Sequence, residues 1–514
     1  MIGMSSDLVL LESDDDRMAV LREVFLENPE LNSFLSRQAR EKCLRLIKVL
    51  KRNFIMPETC NIEHPFPLVY TEYNRRLRLR NTMDFDDLLY YAYRILTENE
   101  RVVQMYNSLY RYIVVDESQD LNFAQYNVIK ALCGKEFRNI MLAGDENQSI
   151  YGFVGSDSSY MAKSFVEDFS PKVFTLNENY RSAKKIVEFA NRLNHSDSIA
   201  NYVYDGELKA YAFADEHAEA LFLVNKIEQL KRDGHPDIEG PVTEEKIAVI
   251  ARNRYVFSSL EEELKRREIP FYYKRTGKGI DNESDFMKVF DLSIRIMINP
   301  KDYIHFNRLK AMIGCEDIVL KNEETGFQMI EKILTNSKYE EIIHVLKQVD
   351  NADGLRFNEV LKGLKELLPG FEDNERYLIS LDINQWEKHW NKYCAIVPRE
   401  RRTLSTFRNL ISLGKTSMPE RNTGISLLTA HMSKGTQYDI VFIIGLCEGV
   451  FPDYRAVRGD EQQQNQELNN MYVTVTRAKR LCYMTYPRSR KMPWGDIKSQ
   501  QPSSYIKDIP LCIL

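Results

Sequence analysis

Six short runs rich in β-branched and aliphatic residues, at 112–115, 139–143, 172–176, 246–251, 425–429 and 440–446, recur between stretches with apolar residues at helical spacing, such as 183–193 and 216–231. Strands separated by helices do not pair as hairpins. The helix crosses over and returns the next strand parallel to the last, so the alternation predicts parallel sheets. Ahead of the first run, residues 17–55 and 66–108 read as helical, with Leu88, Leu89, Ala92, Ile95 and Leu96 at that spacing. Between about 300 and 410 the β-rich runs vanish. Val360, Leu361, Leu364, Leu367 and Leu368 mark an amphipathic helix there, and Trp386, Trp390 and Tyr393 at i, i+4, i+7 read as a helical core rather than a base-stacking platform. The expected fold class is α/β, with an all-α insertion between two halves of an α/β domain.

At 514 residues the chain is long enough for two to four domains. It has no uninterrupted apolar stretch of ~18 residues or more and no charged-then-apolar leader, which disfavours membrane insertion and secretion and makes the cytoplasm the expected location. Eight scattered cysteines without a C-x-x-C pair read as buried thiols rather than a zinc site or a disulfide scaffold. A net charge of −5 excludes a chain that is basic all over. Local clusters remain at Arg75, Arg76, Arg78 and Arg80, at Arg399, Arg401 and Arg402, and at Arg477, Lys479, Arg480, Arg488, Arg490 and Lys491. Each is either a solvated face or part of a nucleic-acid groove.

Chemistry concentrates at the ends of the runs. Residues 112–120, YIVVDESQD, form an apolar strand that delivers adjacent carboxylates, of which Asp116 can hold Mg²⁺ and Glu117 can polarise an attacking water. That outlines an NTP-hydrolysis site. The phosphate cradle G-x-x-x-x-G-K-[ST] is not found: Gly3 is the only glycine before Asp116, and the Gly-Lys pairs at 134–135 and 277–278 lack the spacing and the following Ser/Thr. Residues 139–156, NIMLAGDENQSIYGFVGS, end a second strand in a polar loop with Gln148, Tyr151 and Phe153. An uncharged amide can sense a γ-phosphate, and an exposed aromatic can stack on a base. In 176–182, LNENYRS, Ser182 is placed as a helix N-cap, Tyr180 to lie against a purine and Arg181 to reach a phosphate. Downstream, 425–446 holds His431, Ser433, Lys434 and Gly435 between two strands, and 467–480, ELNNMYVTVTRAKR, places Arg477 where it can act as an arginine finger.

Taken in order, these segments resemble the UvrD/Rep/PcrA-type superfamily 1 DNA helicases. TMDFDDLL at 82–89, VVDESQD, LAGDENQSIYGF, LNENYRS, KIAVIARNR at 246–254 with REIPF at 267–271, TAHMSKGTQYDIVFIIGLCEGVFP at 429–452 and NNMYVTVTRA carry the likeness, over about residues 80–487. The resemblance implies two RecA-like P-loop-NTPase-type domains, the first incomplete, with an all-α insertion in the second. Residues 1–110 would be the helical remainder of the first motor domain and its insertion, and 111–182 its Walker B side. The second motor domain would be 183–300 and 416–514, around a helical insertion at 301–415. It further implies a 3′-to-5′ DNA helicase or translocase of repair, recombination or defence, using ATP and Mg²⁺ on single-stranded DNA or DNA with a 3′ single-stranded tail, with a nuclease or another repair or defence protein as a candidate partner.

Residue by residue, the likeness puts Mg²⁺ on Asp116, the catalytic base on Glu117, and γ-phosphate coupling on Gln148, Arg181 and Arg477. Nucleotide contacts fall to Tyr180, Gly435 and Gln437, and single-strand contacts to Tyr151, Phe153 and His431. Two positions depart from the family pattern: Val154 stands where an Arg is usual, and Gly435-Thr436-Gln437 where Gly-Leu-Glu is usual. The family's N-terminal segment, with its P-loop Lys and Thr, is expected to be missing. The chain then reads as the greater part of a helicase, as a DNA-binding or regulatory subunit that needs a partner chain, or as a non-hydrolysing structural paralogue.

Overall fold

The computed structural model of the chain describes residues 8–11, 13–28, 30–31, 36–134, 137, 139–152, 155–274, 279–280, 282–315, 324–347, 356–416, 423–491 and 497–513. Phe153, Val154, Lys135 and the Gly277-Lys278 pair lie outside the described residues. The chain divides into two compact units, one of Met1–Leu109, Asn127–Gly134 and Gly277–Pro419, the other of Tyr110–Tyr126, Lys135–Thr276 and Glu420–Leu514.

Among its described residues the first unit is almost wholly helical. The helix Asp14–Glu27 starts at Ser13, whose hydroxyl accepts from the Asp16 amide while the Asp16 carboxylate accepts from the Ser13 amide. With the helices Arg37–Arg52 and Phe66–Leu79 it buries Val20, Phe25, Ile47, Tyr70 and Tyr73 in one apolar cluster. Beside this cluster lies a buried ionic group. Lys51 Nζ stands 2.8 Å from Asp84 Oδ2 and 2.7 Å from Asp87 Oδ1, and the Tyr73 hydroxyl donates to Asp84 Oδ2 at 3.1 Å. Asp84 also caps the helix Phe85–Glu98. A second core gathers the helices Asp285–Ile298, Phe357–Leu367, Asp373–Ile396 and Leu404–Ser412, with Phe290 edge-on to Trp386 at 5.2 Å and Trp390 edge-on to Phe407 at 5.0 Å. The Trp386–Trp390–Tyr393 stripe is core, as its spacing indicated.

The second unit is built on a seven-stranded sheet. Its order is Leu511–Ile513, Glu207–Phe213, Ala478–Pro487, Tyr438–Ile443, Ile247–Ala251, Ile425–Thr429, Phe271–Tyr273, and every neighbouring pair is parallel. Ile247–Ala251 is buried at every position, as a strand covered on both faces must be. Leu223, Val224 and Ile227 of the helix Glu216–Asp233, Leu260 and Leu264 of Ser258–Arg266, and Met471 and Val475 of Glu461–Val475 close over it. A separate parallel pair, Ile113–Val115 with Ile140–Leu142, sets Val115 opposite Leu142 and so brings the ends of two motif-bearing strands side by side.

Two local expectations fail. Residues 172–176 form no strand: Phe174 is 73% and Leu176 94% exposed, and pairing begins only at Glu178–Asn179, against Ile199–Ala200. An apolar run becomes a strand only where a neighbour accepts and donates its backbone hydrogen bonds, and no described strand lies alongside. Ser182 does not cap the helix Lys184–Asn194. Ala183 takes the N-cap position, and the buried Ser182 hydroxyl donates to the Ala478 carbonyl at 2.8 Å.

Candidate functional site

The strand Ile113–Val115 ends in a sharp reversal that needs unusual backbone. Glu117 has φ +52° and ψ 36°, left-handed geometry that costs a side-chain-bearing residue about 1–2 kcal/mol. Contacts around it over-determine the turn. Asp116 Oδ1 accepts from the Glu117 amide at 2.9 Å, Gln119 Nε2 donates to Glu117 Oε2 at 2.7 Å, and both the Ser118 amide and its hydroxyl donate to the Ala143 carbonyl, at 2.9 and 2.7 Å. Glycine would relieve the strain and lose the carboxylate, and strain retained with a functional group on it points to use rather than to packing. The neighbouring strand approaches so closely that a Cβ on Gly144 would stand 2.4 Å from Gln119 Oε1.

From the second strand end, Asp145 ties the next motif in. Its Oδ1 accepts from the Asn147 amide at 3.0 Å and its Oδ2 from Gln148 Nε2 at 2.9 Å, while the Asp145 amide donates to Gln119 Oε1 at 3.2 Å. Gln148 Oε1 in turn faces Arg477 Nη2 at 3.5 Å. Arg477 is 3% exposed and, among the described residues, donates to neutral oxygens: the carbonyls of Val473 and Thr436, the Thr476 hydroxyl and the Gln148 amide. Burial, and then the charge of Arg181, bring its pKa down to about 10. No carboxylate forms an ion pair with Arg181 or Arg477 among the described residues.

Asp116, Glu117, Gln148, Tyr180, Arg181 and Arg477 line one cavity of about 510 Å³, together with Gln119, Asp145 and Tyr472. Its lining carries both signs: the carboxylates of Asp116, Glu117, Asp145 and Glu178 and the guanidiniums of Arg181 and Arg477. Tyr180 is largely exposed, and its hydroxyl donates to Glu178. Burial, and then the nearby Asp145 charge, raise the Tyr472 phenol to about 12. Gly435 and Gln437 do not line the cavity; they flank Thr436, whose carbonyl anchors Arg477.

Tyr151 and His431 meet at a separate point, their ring centroids 6.5 Å apart. Burial, and then the charge of Arg252, hold the His431 imidazole down at about 4. Phe153 belongs to the same sequence motif but lies outside the described residues.

Sequence reasoning gave no role to Gln119, Asp145, Tyr472 or Lys434. All four stood inside quoted motifs, and the signal was polar side chains beside a buried strand end, where each must find a partner. A third Gly-Lys pair, Gly414-Lys415, is followed by Thr416, but Asn409 occupies the position a Walker A pattern reserves for its first glycine. The triplet follows the end of the helix Leu404–Ser412, whereas a phosphate loop opens a helix; Gly414 has φ +69° and Thr416 is hydrogen-bonded to His389.

Comparison with known proteins accords with this arrangement. Residues 2–170 match the UvrD/REP helicase N-terminal domain, and residues 174–368 and 390–489 match the UvrD-like helicase C-terminal domain. The chain belongs to the UvrD-like helicase family. Among its curated relatives, the ATP-dependent DNA helicase PcrA of Staphylococcus epidermidis is 27% identical over 552 aligned positions, spanning 99% of this chain and 73% of that protein. The PcrA of Staphylococcus aureus is 27% identical over 554, spanning 100% and 74%. A solved structure of the C-terminal domain of a possible DNA helicase from a Lactobacillus covers 65% of this chain and 98% of its own at 8% identity with a TM-score of 0.25, a likeness too slight to bear on the fold. No helix among the described residues is long and apolar enough to cross a membrane.

Proposed function

We propose that this member of the family is an ATP-driven helicase that moves 3′ to 5′ along single-stranded DNA, engages duplexes through a 3′ single-stranded tail, and serves repair, recombination or defence alongside a nuclease or another such protein. In this reading residues 111–182 form the Walker B side of a first RecA-like domain, and residues 183–300 and 416–514 form a second around the helical insertion at 301–415. One observation carries the nucleotide site: Arg181 and Arg477, which form no ion pair with a carboxylate among the described residues, line the same cavity as Asp116 and Glu117. Two neighbouring cations that repel each other are stabilised by a polyanion placed between them and the acids.

The residues present fit the metal and terminal-phosphate end of Mg-ATP, while the sequence holds no Walker A pattern for the rest of the triphosphate. No group of three His, Cys, Asp or Glu able to hold a metal by itself occurs among the described residues, and Mg²⁺ is ordinarily held by one or two carboxylates plus phosphate oxygens and water. Asp116 would hold the ion against the phosphates, and the ion would supply neutralisation of their charge. Arg477 and Arg181 bind the terminal phosphate, and Gln148, held between Asp145 and Arg477, registers its presence. Glu117 accepts the proton of the attacking water at Oε1 or Oε2. Tyr180 packs on the adenine, while Gly435 and Gln437, which do not line the cavity, bear on the nucleotide only through Thr436 and its bond to Arg477. Tyr151, Phe153 and His431 contact the single strand, where stacking tolerates any sequence.

The test is Mg-ATP binding and hydrolysis by the purified chain, with and without single-stranded DNA, for the wild type and Glu117→Gln. Expected are DNA-stimulated hydrolysis and a loss of ~10²–10⁴-fold in the variant with nucleotide binding kept. A wild-type chain that binds no nucleotide, or a variant that hydrolyses equally well, overturns the assignment.

A further inference from the structure

The backbone that carries Arg181 is held at several points. Asn179 Oδ1 accepts from the amides of Arg181 and Ser182, each at 2.9 Å. The Ser182 hydroxyl donates to the Ala478 carbonyl at 2.8 Å, and the Ala183 amide to the Lys479 carbonyl at 2.8 Å. The Arg181 carbonyl accepts from Arg480 Nη1 at 2.9 Å. Residues 181–183 are thus fastened to the first residues of the strand Ala478–Pro487, which follows Arg477 directly. Of these ties to the strand, the one at Arg181 itself comes from a cationic side chain.

Arg480 is 8% exposed, and no carboxylate forms an ion pair with it among the described residues. Its guanidinium instead lies over the rings of Tyr202 and Tyr204, 4.0 and 5.3 Å from their centroids, and Nη1 also meets the Lys479 carbonyl at 3.1 Å. A planar guanidinium can turn its face to a ring and its edge to a carbonyl at once, which an ammonium cannot. Burying a charge without a counter-ion is costly, and a neutral amide could make the same bond to a carbonyl without that cost. A cation kept in such a place points to use rather than to packing.

We propose that Arg480, stacked on Tyr202, is a positioning residue for Arg181: it fixes the backbone from which the Arg181 guanidinium reaches the terminal phosphate, a role that rests on the nucleotide-site reading above. With its amide held by Asn179 and its carbonyl by Arg480, Arg181 starts from a set place beside Arg477, and the two guanidiniums share one frame. Freed from Arg480, the Arg181 carbonyl turns to water and its side chain samples positions away from the phosphate. Placement matters at this scale, since a displacement of about 1 Å can cost ~10²-fold in rate.

The affinities of the purified full chain for ADP and for the β,γ-imido analogue of ATP, read by displacement of a fluorescent nucleotide, test the proposal without hydrolysis. Their ratio isolates the terminal phosphate. Arg480→Met is expected to shift the ratio about 10-fold against the analogue, as loss of a charge-assisted bond does, with ADP affinity kept. Tyr202→Leu, a change at a half-buried residue that leaves Arg480 in the chain, should shift it in the same direction, and Tyr202→Phe, which keeps the ring, should not. Arg181→Ala with Arg480→Met should be no worse than Arg181→Ala alone, whereas a role independent of Arg181 makes the two losses add. The proposal is overturned if Arg480→Met or Tyr202→Leu leaves the ratio as in the wild type or lowers both affinities alike, or if the losses add. Should Arg480→Met not fold, the Tyr202 pair decides. A wild-type chain that binds neither nucleotide, or a ratio that Arg181→Ala leaves unchanged, overturns the nucleotide-site reading instead, and this proposal with it.

Discussion

Replacing Lys51 by Met removes the cation from a site with almost no water, since the Lys51 side chain is 1% and that of Asp84 2% exposed. Two carboxylates are left behind, Asp84 and Asp87, with Arg17 as the remaining nearby cation. Breaking a buried pair by deleting one partner costs about 3–5 kcal/mol, because the penalty is set by the uncompensated charge rather than by the lost attraction. At ~2–4 °C per kcal/mol for a unit of this size, the midpoint should fall by about 10 °C. Burial opposes ionisation of Asp84, but the Lys51 and Arg17 charges outweigh it and hold that carboxyl at about 2, so its contribution is present above the unfolded value and lost as pH falls toward 2. For Asp87, burial and then the Asp84 charge prevail over Lys51 and push it up to about 6, so its contribution is present at low pH and lost as pH rises through 6. Without Lys51 both carboxyls are raised, and the deficit of Lys51→Met should be larger at about pH 8 than at about pH 5. Urea unfolding followed by tryptophan fluorescence is a suitable assay, because Trp386 and Trp390, two of the three tryptophans, are buried in this unit. Neutralising the acids as well, with Lys51→Met, Asp84→Asn and Asp87→Asn together, should recover most of the loss, since Asn also caps a helix. A deficit below about 1 kcal/mol, or one independent of pH, would refute the reasoning.

Arg477→Ala should lower single-turnover ATP hydrolysis by about 10³-fold or more and weaken nucleotide binding, with Arg477→Lys not restoring the rate; near-normal hydrolysis in stopped-flow phosphate release would remove Arg477 from the site. His431, held at about 4 by burial and then Arg252, is neutral across the physiological range, so its contribution to stability is present above the unfolded value and is lost as pH falls through about 6 toward 4. Oligo-dT affinity should accordingly carry no His431-dependent step between about pH 5.5 and 8, and a titration in that window that His431→Ala abolishes would contradict this.

The sequence by itself determined the class of element at nearly every motif, because the period of apolar residues is a local property that the chain carries wherever it folds. The strands Ile247–Ala251, Ile425–Thr429 and Tyr438–Ile443 and the helices Lys184–Asn194 and Glu216–Asp233 fall where those runs were read. Asp116, Glu117 and Gln148 could be picked out as polar residues at or just past the ends of apolar runs, Tyr180 and Arg181 in the segment that opens the helix Lys184–Asn194, and Arg477 in the segment 467–480, and all six line one cavity. Tertiary structure decided what no local pattern encodes. Lys434 reaches Asp120 across 314 positions and Arg477 reaches Gln148 across 329, contacts set by how parallel strands and their crossover helices stack. Lys51 meets Asp84 and Asp87 through the packing of the helices Arg37–Arg52 and Phe85–Glu98, and only burial turns those ordinary charges into a perturbed group. The segment 172–176 has the composition of a strand and is not one, and Ser182 has the chemistry of a cap and bonds elsewhere. In both cases the outcome depends on which backbone or carbonyl lies alongside, a matter of the fold rather than of the residue.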